Sequence, residues 1–258
     1  MNPAQRDELF AWFERYVEPF RDTDPEGRIN IQLKIDHTRK VCAAMAELCE
    51  GEQLSPSEST LAVVVALLHD VGRFPQYRRW RTFRDSDSDN HARLAIEVLR
   101  EERLLEACSP EEQLLIEEAI RFHNLLELPK AITSPTRRYI DLIRDADKLD
   151  IWRVFVDLLE QPPKERASAA TLGLPDLPDM VTDSCVTALA AGRIVRLDTA
   201  TCFNDFKLMQ ISWIYDLNSV TARKLLRKRG YIPILAATLP QQDRVKSAVA
   251  QALAALSA

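Results

Sequence analysis

The chain contains four histidines, and each lies on the apolar face of a predicted helix. They are His37, His69, His91 and His123, and apolar residues recur three, four or seven positions away from each of them. A single buried histidine is usually a core residue that hydrogen-bonds to a backbone carbonyl. Four inward-facing histidines out of four instead indicate neutral imidazoles that converge on a transition metal.

His69 is followed directly by Asp70, at the end of seven consecutive apolar residues over 62–68. This run is too short to span a membrane and too apolar for a surface helix, so it predicts a buried helix. Burying an aspartate beside a histidine is costly unless its charge is paired or binds a metal, so we expect a cation beside Asp70. Gly72 is expected to form a left-handed turn after this helix, with Arg73 at the opening of the site.

The stretch 140–150 contains four aspartates, from which an acidic ligand is expected. Asp147 is in line with the apolar residues Ile140, Ile143, Ile151 and Val154, so it should face the core. Asp141 and Asp145 are in line with basic residues, which predicts a solvated, salt-bridged face. Asp150 follows Asp147 by one turn and is a candidate for orienting a ligand or Lys148.

His37, the pair His69-Asp70, and Asp147 within Ala-Asp-Lys-Leu-Asp together resemble the HD superfamily of metal-dependent phosphohydrolases. The resemblance extends over roughly residues 28–155 in order and spacing. It implies an all-helical core in which His37, His69, Asp70 and Asp147 bind a metal.

His91 and His123 resemble the two further histidines of superfamily members that hold two metals. The resemblance implies that Asp70 bridges the ions, with His37, His69 and Asp147 on one and His91 and His123 on the other. It implies two divalent or mixed-valent transition metal ions, with iron or manganese favoured and magnesium, cobalt, nickel or zinc as alternatives. The HD-GYP subclass of cyclic-di-nucleotide phosphodiesterases is not favoured, because residues 71–75 read Val-Gly-Arg-Phe-Pro in place of the Gly-Tyr-Pro signature.

Two such ions lower the pKa of a bridging water, which makes hydroxide available at neutral pH to attack phosphorus. The ions and nearby cations also neutralise charge on the phosphoryl oxygens. The residues expected to act in catalysis are Asp70, Arg73 and Lys148. Those expected to bind the substrate are Arg73, Arg78, Arg81, Asn124 and Lys148.

Residues 73–90 separate the HD pair from His91 and contain five arginines and four aromatic residues. One interpretation is a lid that clamps a phosphate with arginine and stacks a base or sugar on an aromatic ring. The other is a solvated loop whose aromatic side chains pin it to the body of the protein. Under both interpretations the stretch lies near the metals.

The leading functional hypothesis is a phosphohydrolase, a phosphomonoesterase or phosphodiesterase that acts on a nucleotide or another small phosphorylated metabolite. Some HD-type proteins with the same six ligands use a mixed-valent di-iron centre to activate dioxygen, and ligand identity cannot separate these two chemistries. A non-catalytic sensor or scaffold is the third hypothesis. Degenerate members usually lose ligands, whereas this chain has candidates for all six.

The elements that must position these residues are helices, because apolar residues repeat every three or four positions and strand-like alternation is almost absent. We predict an all-α fold, an HD-domain helical bundle with a smaller C-terminal helical extension. The predicted helices cover 3–20, 28–50, 57–71, 90–106, 110–126, 135–160, 181–191, 202–216, 218–229 and 240–256, with caps at Ser57, Asn90, Ser109 and Ser134. The core should occupy 1–160, a proline-rich linker 161–180, and a helical region packed on the core 181–258.

The bulk composition restricts the partners. A net charge of -5 gives no overall field for nucleic acid or a membrane surface, so neither is favoured, and no signal peptide or transmembrane span is expected. Five cysteines without a CxxC pair predict small buried hydrophobes in a reducing cytoplasm. The expected partner is a small phosphorylated substrate, and an apolar helix over 245–256 is a candidate homodimer interface.

Overall fold

The regular structure consists of α-helices and short 3-10 turns, in a computed structural model that describes residues 1–21, 24–132, 134–161 and 172–257. No strand occurs in these ranges, so the predicted all-α class is confirmed. The helices are α1 (Pro3–Arg21), α2 (Pro25–Gly51), α3 (Pro56–Leu68), α4 (Arg73–Trp80), α5 (His91–Glu101), α6 (Pro110–Phe122), α7 (Thr136–Glu160), α8 (Asp183–Ala190), α9 (Phe203–Ser212), α10 (Val220–Arg229), α11 (Tyr231–Ala237) and α12 (Asp243–Ser257).

Several helices begin where side chains satisfy the first free backbone amides. Ser109 accepts a hydrogen bond from the backbone of Glu112, whose side chain bonds back to Ser109. The predicted cap at Ser109 is therefore confirmed, and it takes the form of a capping box. Asn90 caps α5 through the amide of Arg93, also as predicted. The predicted cap at Ser57 is wrong, because Ser55 forms the capping box of α3 and a proline takes the first helical position.

The described residues divide into two compact units. The first contains residues up to 150 together with Leu172, and the second contains residues 151–161 and 173–257, so α7 contributes to both. Part of the predicted linker, residues 162–171, lies outside the described residues. The predicted domain boundaries therefore stay a prediction.

Helix α3 lies at the centre of the first unit, where α1, α2 and α6 pack against it. Residues 64–68 of α3 are fully buried, in agreement with the apolar run in the sequence. A helix that is apolar on every side is stable only when other elements cover it completely. Its burial fixes the position of the HD pair, which follows the last residue of α3 directly.

The stretch 73–90 contains helix α4, which the sequence did not predict, followed by a loop with a 3-10 turn over Asp85–Asp87. Phe74 is fully buried against three aromatic rings of α1, with ring centroids 5.5–6.0 Å apart. Tyr77 and Phe83 are also buried and lie 5.0 Å apart between centroids. These rings pin the stretch to the body of the unit, as in the second of the two interpretations, although as a helix and loop rather than a loop alone.

Gly72 adopts right-handed helical angles (φ -67°, ψ -17°), so the predicted left-handed turn at this position is wrong. The reason for a glycine here is space. A Cβ atom at Gly72 would lie 2.2 Å from the carbonyl oxygen of His91 and 2.4 Å from the amide nitrogen of Ala95. Glycine therefore allows the start of α4 to touch the start of α5.

The second unit has its own core around α9, every residue of which is buried. Trp152 packs beside Trp213, and Phe155 packs beside Phe203 and Phe206. The apolar face of α12 is buried, and α12 packs against α8 and α9. The candidate homodimer interface over 245–256 stays a prediction. Within the described ranges, no helix combines the length and hydropathy needed to cross a bilayer.

Candidate metal centre

Five elements of the first unit bring the six predicted ligands together. His37 lies on α2, His69 and Asp70 follow α3, His91 opens α5, His123 follows α6, and Asp147 lies on α7. The four histidines and Asp70 are buried, whereas the side chain of Asp147 is 21% exposed. The prediction that every histidine faces the core is confirmed.

The first ligand group consists of His37, His69, Asp70 and Asp147. The Nε2 atom of His37 lies 3.0 Å from Oδ1 of Asp147 and 3.7 Å from Oδ2 of Asp70. The Nε2 atom of His69 lies 3.7 Å from the same Asp70 oxygen and 3.8 Å from Oδ1 of Asp147. These four side chains therefore direct nitrogen and oxygen atoms at one point.

The second ligand group consists of Asp70, His91 and His123. Oδ1 of Asp70 lies 3.5 Å from Nε2 of His91, which in turn lies 3.1 Å from Nε2 of His123. The three candidate ligand atoms lie within 4.8 Å of one another, and His123 is also within that distance of His69 and Asp147. Asp70 thus offers one oxygen to each group, as a bridging carboxylate would.

The fold orients all four imidazoles in the same way. Each Nδ1 atom is held by an acceptor at 2.6–2.7 Å, which is Asp150 for His37, the carbonyl of Ala66 for His69, Asp85 for His91 and the carbonyl of Ile120 for His123. An acceptor at Nδ1 keeps the proton on that atom and leaves the Nε2 lone pair for a metal. All four Nε2 atoms face the cluster.

The cluster fits a divalent transition metal. The Nε2 atoms of His37 and His69 are buried and have no hydrogen-bond partner in the part of the chain that the structure describes. Buried polar atoms without a partner are rare because each costs free energy. Two carboxylates stand beside these nitrogens, and imidazole with carboxylate suits iron, manganese or zinc. The six residues named above would hold the metal, and its identity does not follow from them.

The charges of the cluster also suit a divalent metal ion. Burial raises the pKa of Asp70, but its positively charged and imidazole neighbours lower this pKa by more. The net pKa lies well below the usual range, and the neighbours responsible are Lys34, His69, Arg73 and His91. Burial also raises the pKa of Asp147, but His37 and His69 lower it by more, so this pKa too lies well below its usual range. Burial lowers the pKa of His123 to about 3 and also lowers that of His91. The second ligand group therefore keeps its carboxylate charged and its imidazoles neutral.

His37 differs from the other histidines in its titration. Burial and Lys34 lower its pKa, but the adjacent carboxylates of Asp147 and Asp150 outweigh them, and the net shift is upward. Asp150 itself is buried, and its contact with His37 agrees with the prediction that it orients a ligand.

Asp85 contacts the site, although no local pattern in the sequence marks it. Its Oδ1 atom accepts hydrogen bonds of 2.9 Å from Arg73 and from Gln76, and its Oδ2 atom lies 2.7 Å from His91 and 3.3 Å from the side-chain nitrogen of Asn124. These contacts, above all that of His91, hold the pKa of Asp85 low despite its burial. One carboxylate thus links the 73–90 stretch to the second ligand group.

Lys34 is the second residue that sequence reasoning missed. Its Nζ atom lies 2.8 Å from Oδ2 of Asp70 and 5.3 Å from the centroid of the Phe83 ring. The expected cation beside Asp70 is therefore present in the protein itself. The same one-turn spacing that placed the histidines could have found it, because Lys34 precedes His37 by three residues on α2.

The structure brings some of the predicted substrate residues to the cluster and not others. Arg73 donates to Asp70, Asp85 and the carbonyl of Phe83, and Lys148 is buried next to Asp147 in the chain. Arg78 instead donates to the carbonyl of Pro19 and stacks on Phe20, and Arg81 pairs with Asp24 and stacks on Tyr77. The guanidinium groups of Arg78 and Arg81 thus contact residues that are not among the six candidate ligands.

Helix α7 corrects one prediction about the aspartates. Asp145 is fully buried rather than solvated, whereas Asp141 forms the expected exposed ion pair, with Arg137. The helical face argument fails at Asp145 because α7 is buried on nearly every side between residues 139 and 150. A polar face on such a helix does not indicate solvent.

A family model, described as the HD domain, matches residues 35–152, a range that contains all six candidate ligands. No curated protein and no solved structure matches the chain. The matched range agrees with the extent of the resemblance seen in the sequence, and the clustered histidines and aspartates are compatible with the metal site of that domain. Residues 35–152 are therefore similar to the HD domain, which is typical of metal-dependent phosphohydrolases.

Proposed function

We propose that the protein is a metal-dependent phosphohydrolase that acts on a small phosphorylated metabolite. The observation that supports this most directly is the position of Asp70, which offers Oδ2 to the first ligand group and Oδ1 to the second. Two ions held in this way would lower the pKa of a water molecule and neutralise charge on a phosphoryl group. Both ligand groups, and hence two divalent ions, belong to the proposal.

The protein's own residues supply orientation and positive charge. Asp150 and Asp85 fix the imidazoles of His37 and His91, one in each ligand group. Lys34 and Arg73 place cationic groups against Asp70, where they would counter the charge of a phosphoryl group. Lys34, Arg73 and Asp147 are partly exposed, so this side of the cluster is where a substrate would enter.

The aromatic residues of the 73–90 stretch favour a compact substrate over a nucleotide. Stacking on a base needs an exposed ring face. Phe74, Tyr77 and Phe83 are buried, and the guanidinium of Arg79 lies over one face of the fourth aromatic ring, that of Trp80. A phosphorylated sugar or alcohol would need no such ring, so we propose this class ahead of nucleotides.

The test is phosphate release by protein purified without chelator, with metal content measured in the same preparation. The panel should contain phosphorylated sugars and alcohols, nucleotides, p-nitrophenyl phosphate and bis-p-nitrophenyl phosphate, the last of which separates diesterase from monoesterase activity. We expect turnover of at least one compact phosphoester, its loss on chelation, and its recovery with manganese or iron. The Asp70→Asn variant should be inactive.

Oxygen consumption measured beside phosphate release separates the alternatives. Metal-dependent oxygen uptake with a phosphorylated or hydroxylated compound, without phosphate release, would establish the oxygenase hypothesis instead. A loaded protein that turns over nothing on the panel and consumes no oxygen would favour a non-catalytic sensor or scaffold. Either result overturns the proposed function.

A further inference from the structure

The side chain of Lys34 has hydrogen-bonding capacity that its protein contacts leave unused. An ammonium group carries three N–H donors. Among the residues that the structure describes, the Nζ atom of Lys34 donates a hydrogen bond to one acceptor, Oδ2 of Asp70, at 2.8 Å. The side chain is 16% exposed, so it lies at the partly open side of the cluster. Two donors therefore remain for solvent or a ligand.

Phe83 holds this ammonium in place without using its donors. The ring centroid lies 5.3 Å from Nζ, within the range of a cation–π interaction. Phe83 is itself buried, and its carbonyl accepts a hydrogen bond from Arg73. Lys34 is thus positioned by both Asp70 and an anchored ring, which lowers the entropy that it would lose on binding an anion.

Three of the five arginines of the 73–90 stretch, those expected to bind the substrate, make several contacts within the protein. Arg73 uses its Nε and Nη1 atoms on Asp70, Gln76, the Phe83 carbonyl and Asp85. Arg78 and Arg81 bind Pro19 and Asp24. Lys34 and Arg73 both contact Asp70, and Lys34 makes fewer hydrogen bonds to the protein than Arg73 does.

We propose that Lys34 binds the substrate by donating a hydrogen bond to a phosphoryl oxygen held next to Asp70. This inference rests on the proposed phosphohydrolase function, because it assigns the same site a residue for its anionic substrate. Charge-assisted hydrogen bonds to phosphate are short and strong, and a lysine provides a point charge that tolerates different phosphate orientations. Lys34 is a substrate contact in this assignment and not a metal ligand.

The experiment measures binding of inorganic phosphate to metal-loaded protein by calorimetry, with metal content determined for each sample. The variants are Lys34→Gln, Lys34→Arg and, as matched control, Lys40→Gln, which changes an exposed lysine on the same helix. We expect Lys34→Gln to weaken phosphate binding by about tenfold or more, as loss of a charged hydrogen bond should, with metal content unchanged. Lys34→Arg should recover most of the affinity, and Lys40→Gln should match the parent.

Three outcomes would overturn the inference. The parent protein could fail to bind phosphate, Lys34→Gln could bind it as the parent does, or Lys34→Gln could lose metal in proportion to phosphate, which would make Lys34 a positioning residue for Asp70. Phosphate binding does not require turnover, so it is measured separately from the hydrolase activity. If phosphate binding depends on Lys34 but the protein hydrolyses nothing, the proposed function is wrong and the Lys34 contact stands. If the protein hydrolyses a substrate but phosphate binding does not depend on Lys34, the proposed function stands and the Lys34 contact is wrong.

Discussion

Oδ2 of Asp85 lies 2.7 Å from Nδ1 of His91, so the loop before α5 supplies the carboxylate that orients the first residue of α5. His37 has an equivalent partner in Asp150, whereas His69 and His123 rely on backbone carbonyls. Each ligand group therefore contains one imidazole backed by a carboxylate. Such partners raise the basicity of the ligand and fix its ring.

Replacing Asp85 with asparagine should weaken metal binding at the second ligand group. The amide keeps the size of the side chain but removes the charge beside His91, and loss of such a partner typically costs about 10–100-fold in metal affinity. Calorimetric titration of metal into chelator-treated protein should show one weakened site and one that is little changed.

The control for this variant is Asp87→Asn. Asp87 lies two residues further along in the same 3-10 turn, has an exposed side chain, and pairs only with Arg84 among the charged groups that the structure describes. Its substitution should leave both affinities at the parent value. Equal affinities in Asp85→Asn and Asp87→Asn would mean that the contact with His91 has no influence on the metal.

Gly72→Ala should destabilise the protein by about 3 kcal/mol, at the upper end of the usual cost of overpacking, because the atoms in its way belong to the backbone of α5. Gly230→Ala provides a comparison, since that glycine has a φ of 69° but open space around it. It should cost about 1–2 kcal/mol, the conformational penalty alone. Urea unfolding measures both values, and a smaller loss in Gly72→Ala than in Gly230→Ala would show that α4 and α5 separate easily.

The sequence was sufficient for the features that depend on local periodicity. Helices repeat every 3.6 residues, so the apolar neighbours of His37, His91 and His123 showed which way each side chain faces. The same spacing identified Asp147, whose carboxylate lies 3.0 Å from His37. Serine followed by proline marked the start of α6, because that cap is made by residues within four positions of each other.

The features that were missed depend on contacts between distant segments. Gly72 is needed because α5 passes close to it, and nothing within the local sequence shows that approach. Asp85 lies outside any regular repeat, and its four partners come from α4, α5 and the residues after α6. Asp145 was placed in solvent because amphipathicity assumes one exposed face, which this part of α7 does not have.

The buried thiol of Cys42 should make the protein less stable at alkaline pH. Burial raises its pKa from 9.0 to about 12, so between these values the unfolded chain loses a proton that the folded chain keeps. A folded-state pKa above the unfolded value gives stability that is complete below the unfolded pKa and is lost as pH rises towards the folded pKa. The loss approaches about 1.4 kcal/mol per pH unit for one group.

The measurement is the free energy of unfolding at several pH values between about 8 and 10.5, for the parent and for Cys42→Ala. The variant should be less stable at pH 8, because a buried side chain has been truncated, but its stability should fall less steeply with pH. Comparing slopes removes the contribution of the other titrating groups, which both proteins share. Parallel slopes would show that Cys42 does not keep its proton in the folded state.

The decisive prediction for the centre concerns His91 and His123, whose Nε2 atoms lie 3.1 Å apart. Two imidazole nitrogens at this distance either form a hydrogen bond as a core pair, with an added proton or a changed tautomer, or bind the same metal. If they bind metal, each alanine variant should lower the content from about two ions per chain to about one, because the first ligand group keeps its own residues. His37→Ala should remove the other ion, and elemental analysis of protein purified without chelator measures all three. One ion per chain in the parent, unchanged in His91→Ala and His123→Ala, would identify the pair as core histidines and leave a single-metal HD site made by the first ligand group.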